Sequence, residues 1–461
     1  MMLLSTAASA MQGRLVGQDV PFTSVGSDSR NIVKGQLFIA LKGENFDGHD
    51  YAAAALQQGA AAVLISHEKS GLAPAIVVED SYLALGRLAA YWRAKLTMPL
   101  VAITGSNGKT TVKEMISAIL AETAHSQQAI HATVGNLNNH IGLPLTLLKL
   151  RAQHQYAVIE MGMNHLGEID YLTRIAKPTV AVITNAGAAH IGELGSFANI
   201  AQAKGEIFAG LAEHGLAVIN ADDEYADYWK SLNQGRKMIT FALTKPADVS
   251  ASYQANGSVS LVNLTTPEGK VSFNLTVLGR HNISNALAAS AVAVALGVSN
   301  ADIARGLANF SAVKGRLQVK AGWHGAQLID DSYNANPDSM KAAIDVLASL
   351  SGEKFLVLGD MGELGMDAKR LHREIGAYAK AAGLKALYCL GELSHEMVNG
   401  FGEGATHYAT PKAIAEALKP LLKESSTVLV KGSRFMKMEI LVDLLEEKLS
   451  ATVILENQAC Y

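Results

Sequence analysis

Apolar runs of four or five residues, with no alternation of polar positions, recur along most of the chain. In the middle they fall at 100–104, 156–160, 180–184 and 217–220, separated by helical stretches. A strand that is apolar on both faces belongs in a parallel sheet covered on both sides, so residues 99–313 predict an α/β layer structure. Residues 248–278 break the rhythm with Val, Thr and Ser alternating at period two. They predict antiparallel strands at the edge of that sheet. From 314 onward the α/β rhythm returns, with strands expected at 355–358, 386–390 and 427–430. Ahead of the central region, residues 1–98 hold short strands at 37–41, 62–65 and 75–78 among Ala-rich helical stretches. A helix over 83–96 stops before Pro99, as helices do ahead of proline. The expectation is an α/β protein of three domains, 1–98, 99–313 and 314–461. Three is also the number that about 100–200 residues per domain gives for a chain of this length.

Composition narrows the class. Apolar residues make up 49% and charged residues 18%, an ordinary balance for globular cores. The net charge of −3 offers nucleic acid or an anionic membrane no overall attraction. The longest apolar stretch, 286–298, falls short of the ~20 residues a membrane helix needs and predicts a buried helix. Ala8-Ser9-Ala10 imitates a signal cleavage site. No basic residue precedes it and the apolar run at 1–4 is short, so a first helix is expected instead. The two cysteines, Cys389 and Cys460, have no metal-ligand spacing, and a reducing, cytoplasmic setting accounts for them.

The chemistry is concentrated after the first central strand. Thr104-Gly105-Ser106-Asn107-Gly108-Lys109-Thr110-Thr111 follows the strand, and a helix is expected from 112 to 120. Strand, Gly-rich loop and helix form a phosphate-binding loop. The glycines let backbone N–H groups approach phosphate oxygens. Lys109 reaches the terminal phosphates, and a Thr hydroxyl is placed for Mg²⁺. Ile103 stands where the usual pattern has its first glycine, so the working core is Gly105 to Thr111. Glu160 ends one strand and His190 follows another. Strand carboxyl ends in an open parallel sheet face the ligand crevice, so both are candidates to hold metal beside the loop. Lys204, read as lying early in a helical pattern, is not distinguished from a solvated lysine by pattern alone.

Taken in order, these segments and several others resemble the Mur ligases. The others are Gly135 to Pro144, Glu160-Met161-Gly162, Asn185 to His190, Ala203 to Glu206, Gly279-Arg280-His281-Asn282 with Asn285, Gly315-Arg316, and Asp331 to Pro337. The resemblance covers nearly the whole chain and includes the shortened loop. It implies an N-terminal substrate domain, a central P-loop ATPase domain and a C-terminal Rossmann-like domain. It also implies an ATP-dependent ligase of peptidoglycan precursor synthesis that works through an acyl phosphate, with ATP and Mg²⁺. Within the family, Asp28-Ser29-Arg30, Gly43 to His49, Tyr333 to Ser339, Gly359 to Gly365 and Lys431-Gly432-Ser433-Arg434 resemble the branch that adds D-alanyl-D-alanine to UDP-N-acetylmuramoyl-tripeptide.

The resemblance assigns roles. Gly105, Ser106, Asn107, Gly108, Lys109, Thr110 and Thr111 bind the ATP phosphates, Asn282 and Asn285 the adenine end. Arg316 contacts phosphate and Asp331 the nucleotide from the third domain. Lys109, Glu160, His190, Lys204 and Arg316 are catalytic. The metal set is Thr110, Glu160, His190 and Lys204, the last as a carbamate. Ser29, Arg30, Asp47, Gly48 and His49 bind the uridine end. Asn138 and Asn139 meet the sugar–peptide part, and Asn336, Asp360, Lys431, Ser433 and Arg434 meet the dipeptide. A monomer with no membrane insertion is expected. The alternatives are a diamino-acid-adding or folylpolyglutamate-type relative, and a P-loop ATPase that performs no ligation.

Overall fold

The computed structural model describes residues 1–68, 71–189, 191–257 and 259–447. Three sheets carry most of the strands. The central one runs, in spatial order, Gly269–Leu275, Val259–Thr266, Val249–Asn256, Met238–Ala242, Leu216–Asn220, Val180–Ile183, Leu100–Thr104, Tyr156–Glu160 and Ile130–Ala132. It is parallel from Val249–Asn256 to Ile130–Ala132, and the Val259–Thr266 and Gly269–Leu275 hairpin adds antiparallel strands at one edge. Apolar runs in the middle and alternating residues at the edge are thus separated as the sequence pattern implied.

The helix Arg280–Ala295 is buried nearly all round, which its run of Ala and Val permits and a surface helix would not. It packs on the helix Lys109–Ala124. No helix among the described residues is long and apolar enough to cross a membrane. The N-terminal segment forms the helix Leu4–Met11, with Leu4, Ala7, Ala8 and Met11 buried.

The third sheet has the order Gln318–Ala321, Gln327–Asp331, Ser426–Lys431, Glu353–Gly359, Ala386–Leu390, Ala405–Tyr408. Its strands are parallel except the first. Cys389 is buried within it as a free thiol, and burial pushes its pKa up, so it is inert. Cys460 lies outside the described residues.

The first sheet, Arg14–Val16, Ala75–Val77, Ala62–Ile65, Gln36–Ile39 and Ser24–Gly26, does not keep its core to itself. The expected helix before Pro99 spans Ser81–Arg93, and its Ala84, Leu85, Leu88 and Ala89 belong to one continuous apolar cluster with Leu143, Leu147, Ile169 and Leu172 of the central layer. At Gly86 the helix backbone lies against the Tyr171 side chain, since a Cβ there would lie 2.1 Å from the Tyr171 hydroxyl oxygen. Trp92 and Arg93 donate to the carbonyls of Leu150 and Ala176 across the same seam. The third sheet meets the central one differently, largely through polar side chains around a cleft. That cleft is where the chemistry gathers.

Candidate active site

The strand Leu100–Thr104 is buried along its length and delivers the loop to its open end. The helix begins at Lys109, three residues earlier than the sequence pattern suggested, so Lys109, Thr110 and Thr111 form its first turn. Gly108 caps it at φ 83°, a left-handed conformation that glycine adopts without steric cost. The next strand end holds the loop. Thr184 Oγ1 and Asn185 Nδ2 donate to the Asn107 carbonyl at 2.6 and 3.1 Å, and Asn107 N donates to Asn185 Oδ1 at 3.0 Å. Lys109 Nζ donates to the Gly105 carbonyl at 2.7 Å. Burial holds its pKa below the usual lysine range, and nearby Glu160 opposes that shift.

Glu160, almost fully buried, receives Thr110 Oγ1 on one oxygen at 3.0 Å and Asn138 Nδ2 on the other at 2.8 Å. Hydroxyl, carboxylate and amide therefore form one chain beside Lys109. Lys204 lies at the end, not the start, of the helix Phe197–Gly205, and its side chain is 2% exposed. No hydrogen bond or ion pair joins it to another described residue. Burial, and then the neighbouring Lys109 charge, push its pKa well down, which favours the neutral amine. A buried lysine beside a second lysine is not a solvated surface group. His190 lies outside the described residues.

Arg316 arrives from the far side of the cleft. Its Nη2 approaches Thr110 Oγ1 at 3.5 Å, its guanidinium stacks over the Tyr333 ring at 4.3 Å, and its Nε is buried without a partner. Lys109, Glu160 and Arg316 line a cavity of about 980 Å³ together with Asn136, Asn138 to His140, Gly162 to Asn164, Leu166 to Glu168, Tyr333 to Asn336, Glu363, Lys431 and Ser433 to Phe435. A second cavity of about 360 Å³ adjoins it. It is lined by Gly108, Thr111, Asn185, His281, Asn282, Asn285, Arg316, Asp331 and Lys431, with dimensions that suit a nucleoside. Asn285 Nδ2 donates to Asn282 Oδ1, and Asn282 Nδ2 is already committed to the Leu278 carbonyl. Asn285 Oδ1 faces Gly108, where a Cβ would come within 2.3 Å of it.

Several expected contacts are placed otherwise. Asn336 lines the cavity, caps the helix Pro337–Ser349 and donates to Asn107 Oδ1 at 2.8 Å, so its side chain joins the phosphate loop. Asp360 lies buried off the cavity wall, accepting the backbone N–H groups of Leu393 and Ser394. Lys431 is tied to Asp331 Oδ2 at 2.7 Å and to the Asn334 carbonyl. Ser433 bridges Gly362 N and the Ala335 carbonyl. Of that trio Arg434 alone turns an exposed charge to the cleft, where it also pairs with Glu439.

Asn139 lines the cavity, but its Oδ1 accepts from Ile141 N and Gly142 N. In the first sheet His49 is buried, donating from Nδ1 to Asp47 and accepting the Ser66 N–H at Nε2. Gly48 sits where a Cβ would strike the Leu41 backbone at 2.7 Å. Those two, with Asp47, build the loop. Arg30 is exposed and folded back on Asp28, and neither it nor Ser29 reaches the cavity wall. Sequence reasoning named Asn185 within a motif but gave it no task. The same holds for Asp338, which accepts Ala188 N across the cleft at 2.7 Å.

Comparison with known proteins agrees with this geometry. Residues 21–93 match the family model "Mur ligase family, catalytic domain", 103–293 "Mur ligase middle domain" and 315–434 "Mur ligase, glutamate ligase domain". The chain is 43% identical to the UDP-N-acetylmuramoyl-tripeptide–D-alanyl-D-alanine ligase of Escherichia coli (strain K12), over 96% of this chain and 98% of that one. Among solved structures, MurF from Acinetobacter baumannii superposes with a TM-score of 0.89 at 36% identity, covering 95% of this chain and 98% of that one. MurF from Thermotoga maritima in complex with ADP superposes at 0.82 and 28% identity, with the same coverage. A phosphate loop faced across a cleft by Arg316, and likeness along almost the whole length, place this chain in the Mur ligase family.

Proposed function

We propose that this chain uses ATP to join D-alanyl-D-alanine to UDP-N-acetylmuramoyl-tripeptide in the cytoplasm, as a monomer. The observation that carries the reading is the meeting of Lys109 and the Thr110–Glu160–Asn138 chain with Arg316 from the opposite wall. The tripeptide carboxylate attacks the γ-phosphorus of ATP and ADP leaves. The dipeptide amine then attacks the acyl carbon, inorganic phosphate leaves, and the amine proton passes to solvent. Lys109 and Arg316 stabilise charge on the transferred phosphoryl oxygens, and the cleft excludes water that would hydrolyse the acyl phosphate. Gly108, Asn282, Asn285 and Asp331 surround the nucleoside cavity.

No cluster of three or more His, Cys, Asp or Glu among the described residues could hold a metal by itself. That suits Mg²⁺, which takes one or two carboxylates and fills its shell with phosphate oxygens and water. Thr110 and Glu160 would hold it, with His190 and Lys204 completing the set, and bound Mg²⁺ would supply positive charge to the phosphates. Lys204 would join that set as a carbamate. Its deprotonated amine has the lone pair to attack CO₂, and loss of one proton leaves a carbamate whose single negative charge is shared by two oxygens. The carbamate places a negative charge beside Lys109, where the neutral amine offers none.

The deciding experiment measures phosphate release with each candidate amine. D-alanyl-D-alanine should support it, and meso-diaminopimelate, L-Lys and D-Ala should not. Preference for a single amino acid overturns the substrate assignment. Release that needs neither amine nor acceptor makes the chain an ATPase.

A further inference from the structure

Arg316 is a charged group with little to hold it. No carboxylate among the described residues pairs with it, Thr110 Oγ1 is 3.5 Å away, and its buried Nε has no partner. An unpaired guanidinium on a long side chain samples many rotamers, whereas phosphoryl transfer needs its charge at one place. What fixes it in this structure is an aromatic ring, since its Cζ lies 4.3 Å from the Tyr333 centroid.

The backbone enforces that stack. Tyr333 N donates to the Gly315 carbonyl at 3.1 Å, and Gly315 turns with φ 71°. A Cβ at 315 would lie 3.2 Å from both Cβ and N of Tyr333, so the two segments run in close contact. The same ring is 5.9 Å from the guanidinium carbon of Arg434, the exposed cation on the amine side of the cavity.

We propose that Tyr333 is a positioning residue for the ligation. Its ring orients Arg316 toward the phosphate loop and stands between the nucleotide-side and amine-side cations. The inference rests on the ligase reading above. It assigns the task to the π face and none to the hydroxyl, which makes no hydrogen bond to another described residue.

The test is steady-state kinetics of the full chain with ATP, the UDP-linked tripeptide and D-alanyl-D-alanine, for Tyr333→Phe, Tyr333→Leu, Arg316→Ala and the Leu/Ala double variant. A desolvated cation–π contact of ordinary strength corresponds to roughly a tenfold fall in kcat for Tyr333→Leu. Tyr333→Phe should restore kcat to within about twofold, because the ring face remains. In the Arg316→Ala background, Tyr333→Leu should cost nothing further, since Tyr333 acts through the arginine. Full kcat in Tyr333→Leu overturns the proposal. So does an equal loss in Phe and Leu, which would move the task to the hydroxyl, or an additive loss in the double variant. Tyr333→Trp keeps a ring and serves if the Leu variant does not fold; its activity must then follow the Phe variant. Failure of the wild-type chain to release phosphate in response to the amine would sink the ligase reading, a result separable from all of these.

Discussion

Gly108 offers a perturbation whose size can be worked out in advance. Its φ is 83°, and Gly235, in a surface turn away from the cleft, has φ 85°. Alanine at either site suffers the same left-handed strain, about 1–2 kcal/mol. At Gly235 the new Cβ meets nothing within 4 Å. At Gly108 it falls 2.3 Å from Asn285 Oδ1 and 3.2 Å from Asn285 Cγ. Asn285 must swing aside and give up its 2.9 Å bond to Asn282, a further cost of about 0.5–1.5 kcal/mol. Gly108→Ala should therefore destabilise by about 1.5–3.5 kcal/mol and Gly235→Ala by about 1–2 kcal/mol. The excess falls on a residue of the nucleoside cavity, so at about 1.4 kcal/mol per decade it should raise the KM for ATP by about two- to tenfold. Denaturant unfolding of both variants, with ATP titrations at saturating acceptor and amine, makes the comparison. If Gly108→Ala matches Gly235→Ala in both stability and KM, the Asn285 contact does not shape the nucleotide site.

Lys109→Ala should lower kcat by about 10²–10³ while leaving the unfolding curve near wild type, since an electrostatic group at a transferred phosphoryl is lost; near-normal turnover removes the loop from the chemistry. Lys204→Ala should lose nearly all activity and regain part of it in formate or acetate. Lys204→Arg should be as inactive, because a guanidinium keeps its charge and forms no carbamate, and full activity there takes Lys204 out of the site. Lys431→Met strands the buried Asp331 carboxylate and should destabilise by about 3–5 kcal/mol, measured by denaturant unfolding. The pairing has been misjudged if adding Asp331→Leu recovers none of that loss.

Much of this was legible in the chain. Apolar runs such as Val180–Ile183 report burial on both faces, and a glycine pair followed by Lys and Thr after a strand reports phosphate. Partners of polar side chains were not legible. Asn336 and Asp360 read as ligand contacts, yet one caps a helix and grips Asn107 while the other holds the turn at Leu393 and Ser394. An Asn or Asp at an element end has the same signature whether it binds backbone or substrate. Lys204 is the reverse case, left open by the pattern and found buried. Its burial is decided by tertiary packing that a single helical pattern does not encode. Helix 81–93 was visible, but an Ala/Leu face does not say which layer it will meet.

That last point bears on how the chain can be cut and recombined. The apolar seam from Ala84, Leu85 and Leu88 to Leu143, Leu147 and Ile169 makes the first two sheets one cooperative folding unit. Excising residues 1–98 exposes that seam to water on both fragments, and grafting them onto a relative's central layer mismatches it unless residues 142–147 and 168–176 travel with them. The modular units for recombination are therefore two, and their junction lies in the segment between Phe310 and Arg316.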